Sequence, residues 1–327
     1  MDGSVTDVPD SKENDAFFGR PSNASRDGAF PQVRWVAAAE SGTGSLLGAA
    51  MGPYRAAEQP LALDLLGCFG PGMVVLADRK FLSWSLARAF LATGAHILWR
   101  ASASFALKPV KVLHDGTYLA ELRPPRKSDG PPVTVRVIEY TVHTTPEDGG
   151  TEETSEVFCL VTSLLDTEEY PALDLACCYP ERWGCETVIG HHKTDMGEGQ
   201  PVLRSKDPEG VMQEMWALFA VYQAICKLIG IAVNAAGIPP DKISFPHALA
   251  AATATVAAFP PLSRQASPSP RSCSRSSCPA STSGTARIAP VPARPRRPGT
   301  SPPANPASRA SPTSPAGSSS TCSILGK

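Results

Sequence analysis

Tyr179-Pro180-Glu181-Arg182-Trp183-Gly184-Cys185-Glu186-Thr187-Val188-Ile189-Gly190-His191-His192-Lys193 is the stretch that decides how this chain is read. Around an α-helix at about 100° per residue, Tyr179, Arg182, Glu186 and Lys193 fall at roughly 0°, 300°, 340° and 320°. A helix through this segment therefore carries all four side chains on one narrow stripe. A carboxylate flanked by a phenol and two cations suits a metal ion together with a polyanion. The Glu186 carboxylate holds the cation, Arg182 and Lys193 grip phosphates, and the Tyr179 hydroxyl donates a hydrogen bond. Taken alone, a helix carboxylate such as Glu186 is ordinarily a solvated one. The adjacent His191 and His192 diverge by about 100° on a helix, which suits a solvated face better than a metal site.

Two further acidic residues matter, Asp78 and Asp2. Met73-Val74-Val75-Leu76-Ala77 is a short continuous apolar run, the mark of a buried strand, and it ends directly at Asp78. Open α/β sheets place their ligands at the carboxyl ends of such strands, although a strand-end Asp also serves as a simple turn residue. Asp2 follows only Met1. Residues 1–30 are polar and read as a loop, so no strand is expected to carry Asp2.

Working outward, Val33–Glu40 and Leu46–Tyr54 read as strands joined by a turn over Ser41–Ser45. Glu58–Cys68 reads as a short helix, Ser83–Thr93 as another, and His96–Arg100 as a strand. Between 101 and 165 the character becomes β-rich, with strands expected at Phe105–Leu113, Thr117–Leu122, Val133–His143 and Val157–Leu164. Helices return at Tyr170–Cys178. A long helix opens at Asp207-Pro208-Glu209, a favourable cap and first turn, and runs to about Ala236. Its Val211, Met215, Leu218, Phe219, Tyr222, Ile225 and Ile229 recur at helical spacing and read as core. A last helix follows Ser244.

The 327 residues are not uniform. Residues 259–327 hold 14 of the 33 prolines, eight Arg, one Lys and no acidic residue, whereas residues 1–258 carry 21 basic and 31 acidic side chains. An acidic body confines any DNA-binding surface to a local patch. The tail lacks periodicity and reads as disorder. A shifted coding frame is the second account of it, and a basic DNA-gripping arm the third. Nine cysteines without a C-x-x-C pair read as reduced core thiols. No secretory signal is visible, and the longest apolar run, near Trp216–Ile238, is interrupted by Gln223, Lys227 and Asn234. No membrane partner is expected.

With these residues in view, the chain resembles the DDE transposases of bacterial insertion sequences, in the insertion-sequence-four branch. Tyr179, Arg182, Glu186 and Lys193 match its Y-x2-R-x3-E-x6-K signature. Leu76-Ala77-Asp78-Arg79 looks like its second acidic motif and Met1-Asp2-Gly3-Ser4 like its first. The resemblance covers roughly residues 1–250. It implies an α/β fold, an RNase H-like mixed sheet with flanking helices. The core would run over 1–100, be interrupted by a β-strand insertion at 101–165, be completed by helices at 166–258, and be followed by the tail. It also implies a chain shortened ahead of Met1 and altered after Ala258.

The implied activity is metal-dependent strand cleavage and strand transfer. Asp2, Asp78 and Glu186 would hold two Mg²⁺ ions, with Mn²⁺ as a substitute. Tyr179, Arg182, Lys193 and Arg79 would contact DNA phosphates. Phe158, with Trp99 as runner-up, would stack on a flipped base; for Phe158 ordinary sheet packing is an equal reading. The implied partners are double-stranded DNA and a second copy on that DNA, in the bacterial cytoplasm. Two other readings stand beside this one: a non-catalytic remnant that binds DNA or a full-length partner, and a metal-dependent nuclease of RNase H type.

Overall fold

A computed structural model describes residues 1–23, 26–102, 105–146, 153–197, 202–258 and 318–324. The polar N-terminus is not a loop. β1 (Asp2–Asp7) pairs antiparallel along the apolar β4 described below. Its Asp, Gly, Ser and Thr residues carry no apolar alternation, which hides it from a hydrophobicity reading. The ladder to its neighbour creates it. Ser11 then caps α1 (Lys12–Phe18), its hydroxyl accepting from the Asn14 amide at 3.1 Å. A two-residue ribbon follows, β2 (Ser22–Asn23) with β3 (Arg26–Asp27).

β4 (Gln32–Ala39) and β5 (Leu46–Pro53) form the expected hairpin, and the first sheet has the order β1-β4-β5. β4 buries Val33, Trp35, Val36, Ala37 and Ala38, consistent with a strand covered on both faces. The expected helix at Glu58–Cys68 divides into α2 (Glu58–Leu63) and a separate 3₁₀ turn at Leu66–Cys68 that contains Gly67, a poor helix former.

β6 (Val74–Ala77), α3 (Trp84–Ala92) and β7 (His96–Arg100) form a parallel crossover unit. β6 is buried only at its far end. Val75 and Ala77 are inside, while Met73 and Val74 are about 40 % exposed (41 % and 40 %). The β-rich stretch supplies β8 (Lys111–Val112), β9 (Tyr118–Leu122), β10 (Val133–Pro146), β11 (Glu153–Thr154) and β12 (Phe158–Thr162). The strand expected at Phe105–Leu113 shrinks to two residues. Pro109, which has no N–H to donate, precedes the surviving pair. β12 pairs directly with β7, so one sheet runs β6-β7-β12-β10-β9-β8.

Helical structure resumes with α4 (Ala172–Cys178), a 3₁₀ turn (Tyr179–Arg182), α5 (Trp183–Gly190) and a π turn (His191–Asp195). α6 (Pro208–Ala236) is the long helix read from the sequence. Asp207 caps it by accepting from the Gly210 amide, and Gly237 ends it at φ 65°. Val211, Met215, Phe219, Tyr222 and Ile225 are buried as expected. α6 is long and apolar enough to cross a membrane by length and composition, but this stripe packs onto Val33 and Trp35 of β4 and onto the later helices. α7 (Phe245–Ala258) follows.

Most of the tail, 259–317, lies outside the described residues. Its end departs from the expected disorder, since β13 (Ser318–Ile324) runs antiparallel along β10.

Candidate active site

The three acidic residues come from three elements. Asp2 opens β1, Asp78 follows β6, and Glu186 lies in the first turn of α5. The two sheets meet at this point. The Met1 ammonium donates to the Leu76 carbonyl at 2.8 Å, which sets Asp2 beside the end of β6. Tyr179, buried to 4 % exposure, donates its hydroxyl to the Ala77 carbonyl at 3.4 Å. That contact ties the helical segment to the residue before Asp78.

Arg182 links the remaining pair. Its Nη1 lies 3.1 Å from Asp2 Oδ2 and 2.8 Å from Glu186 Oε1. Burial works against the Arg182 charge, but the Tyr179 hydroxyl, Glu186 and Asp2 outweigh it and hold the guanidinium above its usual pKa. Glu186 titrates above the usual carboxylate range. Burial is the main cause, and Asp2 and Asp78 push in the same direction against Arg182. Glu186 therefore feels both other carboxylates. Tyr179 is pushed up to about 12, first by burial.

The four signature residues do not form the single α-helical stripe read from spacing. Pro180 falls in a 3₁₀ turn, an α segment follows, and a π turn ends the run. Each segment has its own angular step. Tyr179, Arg182 and Glu186 still converge. Lys193 does not join them: it is desolvated, which lowers its pKa, and its counter-charge is Asp7, at the opposite end of β1. The same π turn overturns the solvated reading of the histidine pair. His192 is buried against Trp35, Phe219 and Tyr222.

Arg79 is exposed beside Asp78, its amide donating to Asp78 Oδ1 at 2.6 Å. Phe158 stacks on Tyr140 at 5.2 Å, and the Arg100 guanidinium lies 4.4 Å over its ring. A base reaching that ring must displace one of them. Trp99 is fully buried in the core and offers no open face. Arg100 went unnoticed in the sequence. It ends β7 one step beyond the Ala77–Trp99 pair, beside Asp78, and ion-pairs with Glu156. Its signal was available, because the carboxyl ends of parallel strands are where ligands bind.

Among the described residues, no three Asp, Glu, His or Cys side chains already stand at ion-holding distances from one another. The donor set nevertheless suits a hard dication. It consists of carboxylate oxygens from three separate elements, and a cationic nitrogen already sits between two of them.

The Transposase DDE domain family matches residues 1–224. The chain is 29% identical over 256 residues to "Transposase InsG for insertion sequence element IS4" of Escherichia coli (strain K12), covering 75% of this chain and 55% of that protein. It is 30% identical over 100 residues to "Putative transposase InsZ" of the same organism, covering 30% of this chain and 33% of that protein. The chain thus spans about half the length of the first relative and a third of the second.

Proposed function

Because the chain belongs to the DDE transposase family, of the IS4 type, we propose that its site performs phosphoryl transfer on the DNA ends of an insertion sequence. The observation that carries this reading is the meeting of Asp2 and Glu186 on one Arg182 nitrogen, within electrostatic reach of Asp78. Asp2, Asp78 and Glu186 are the residues that would hold Mg²⁺, or Mn²⁺ in its place. Such ions supply charge neutralisation at the reacting phosphate and activation of the attacking water or 3′-hydroxyl.

The chain's own residues do the remaining work. Asp2 and Glu186 are half-buried, so their mutual repulsion with Asp78 is poorly screened and favours any cation placed between them. Arg182 provides that cation at rest. Turned away from the two carboxylates, its planar fork suits a DNA phosphate. Arg79 is exposed next to Asp78 and Arg100 lies at the neighbouring strand end, so both can pair with the backbone of a strand laid across this end of the sheet. Tyr179 holds the Ala77 carbonyl and fixes the helix against the strand that presents Asp78. No covalent intermediate on the protein is required. Double-stranded DNA is the substrate, a second copy on that DNA the partner, and the bacterial cytoplasm the setting.

The test is incubation of the chain with element-end DNA and Mg²⁺ or Mn²⁺, with Glu186→Ala as control. Hairpin and joined-end products that vanish in the variant support transposition. Simple nicks support a nuclease of RNase H type instead. A second reading also has a specific observation behind it: Arg182 neutralises two of the three carboxylates, and among the described residues no ion-holding trio stands assembled. On that reading the chain binds DNA or a full-length partner without cutting. DNA binding with no product under either metal would select it.

A further inference from the structure

The loop after Asp78 enters α3 through a chain of side-chain bonds. The Gln59 amide donates to the Lys80 carbonyl at 2.8 Å, and the Ser83 hydroxyl, which caps α3, donates to the Gln59 side-chain oxygen at 2.8 Å. Trp84, the first residue of α3, donates its ring N–H to the Pro131 carbonyl at 3.0 Å. One turn on, Arg88 donates from Nη1 to the Asp129 carbonyl at 3.0 Å, and its guanidinium lies 5.2 Å over the Trp84 ring. α3 is thus fastened at its start to the loop that follows Asp78, and along its flank to the turn between β9 and β10. Gly130 permits the second junction: at φ 141°, a Cβ there would lie 2.8 Å from Arg88 Nη1.

This ridge concentrates positive charge. Arg79, Lys80, Arg88, Arg126 and Lys127 are all exposed along it. Among the described residues, no carboxylate stands at ion-pair distance from the side chain of Arg79, Arg88, Arg126 or Lys127. Glu58 reaches Lys80 at 3.7 Å, but it is mostly buried and shared with Arg34. The Asp129 carboxylate accepts from the Arg126 amide at 3.2 Å, and Glu121 is matched by Arg123. A body with more acidic than basic side chains gives such a run of cations a distinct local field. Arg88 also differs from an ordinary solvated arm. Its stacking on Trp84 and its bond to Asp129 hold it in place, so little freedom is lost when it meets an anion.

We propose that these five cations form a phosphate track for duplex DNA. The track carries the stretch that flanks the reacting phosphate from Asp78 along α3 to the turn between β9 and β10. Its contacts go to backbone oxygens and carry no base preference, so it sets affinity and placement rather than sequence choice. The inference rests on the reading of the site as one that acts on DNA, and it extends the DNA surface to Lys80, Arg88, Arg126 and Lys127.

The test uses the full chain, EDTA in place of metal, and a fluorescein-labelled duplex of about 30 base pairs, roughly three helical turns. Fluorescence anisotropy gives the affinity over a series of KCl concentrations. Each phosphate contact contributes about −0.9 to the slope of log K against log salt, so the double variant Arg126→Gln with Lys127→Gln is expected to make that slope shallower by about 1.8. At about 0.1 M KCl its affinity is expected to fall tenfold or more. Arg88→Gln is expected to weaken binding as well, independently of the turn. Lys227→Gln, the same charge change on an exposed position of α6, is expected to alter affinity less than twofold. Circular dichroism checks that each variant keeps its fold. An unchanged slope in the double variant together with full affinity in Arg88→Gln overturns the proposal. So does an equal loss in Lys227→Gln, or the absence of saturable, salt-dependent binding by the unaltered chain. Binding that depends on these cations in a chain that yields no cleaved DNA supports the track and counts against the catalytic reading alone.

Discussion

Arg182 Nη1 lies 3.1 Å from Asp2 Oδ2 across 180 positions of sequence, and this one contact closes the first strand onto the helical segment that carries Glu186. A buried guanidinium with two carboxylate partners is hard to remove without leaving charge behind. Arg182→Ala is expected to destabilise the chain by about 1–3 kcal/mol, because Asp2 and Glu186 lose their counter-charge while staying half-buried. Urea unfolding checks this. Added Mg²⁺ is expected to restore part of the loss in the variant, since a ligand that binds only the folded form stabilises it.

Arg136 is a second buried cation, with a structural role. It is fully buried, pairs with Asp115 at 2.5 Å, and donates to Thr117 Oγ1 at 3.0 Å and the Tyr170 carbonyl at 2.6 Å. It thereby ties β10 to the approach of α4. Arg136→Ala is expected to cost about 3–5 kcal/mol by stranding these acceptors. Arg136→Lys is expected to recover little, because one ammonium cannot reproduce the guanidinium fork. Chemical denaturation of both variants is the measurement.

His192 makes the fold acid-sensitive. Burial holds its pKa down to about 4, against 6.5 when free. Val188's carbonyl accepts from Nδ1 at 3.1 Å, while Nε2 is buried without a partner; the nearby titratable groups are His191 and Tyr222. The unfolded chain binds the extra proton between those two values. The contribution is therefore complete above about pH 6.5 and is lost as the pH falls toward 4. The loss is on the order of 3 kcal/mol. His192→Leu is expected to flatten this part of the stability profile, as followed by urea midpoints from pH 4 to 7.

Asp207 caps α6 through the Gly210 amide at 2.8 Å. Asp207→Ala is expected to cost about 1 kcal/mol, and Asp207→Ser much less, because serine also caps. Thermal unfolding of the two variants separates the cap from a mere change of charge.

Much of this was legible in the residues, and the failures have physical causes. The apolar run before Asp78, the Asp207 cap and the helically spaced apolar stripe of α6 each express local rules, and the elements form where those rules put them. β1 was invisible because Asp2–Asp7 owes its extended form to β4 rather than to its own composition. Arg182 and Glu186 share a site because three or four residues make one turn in either a 3₁₀ or an α segment. Lys193 left the stripe, and His192 turned inward, because angular error accumulates through 3₁₀, α and π geometry over fourteen residues. Arg100 was passed over because its role depends on which strand neighbours β6, a tertiary fact.

The central claim is that Asp2, Asp78 and Glu186 form one cation-binding unit. Mn²⁺ binding to the chain, followed by electron paramagnetic resonance, tests it most directly, because it needs neither DNA nor turnover. The account predicts saturable binding that weakens at least tenfold in each of Asp2→Asn, Asp78→Asn and Glu186→Gln, and is unchanged in Asp195→Asn. Binding that ignores any one of the three substitutions, or no saturable binding at all, would contradict it.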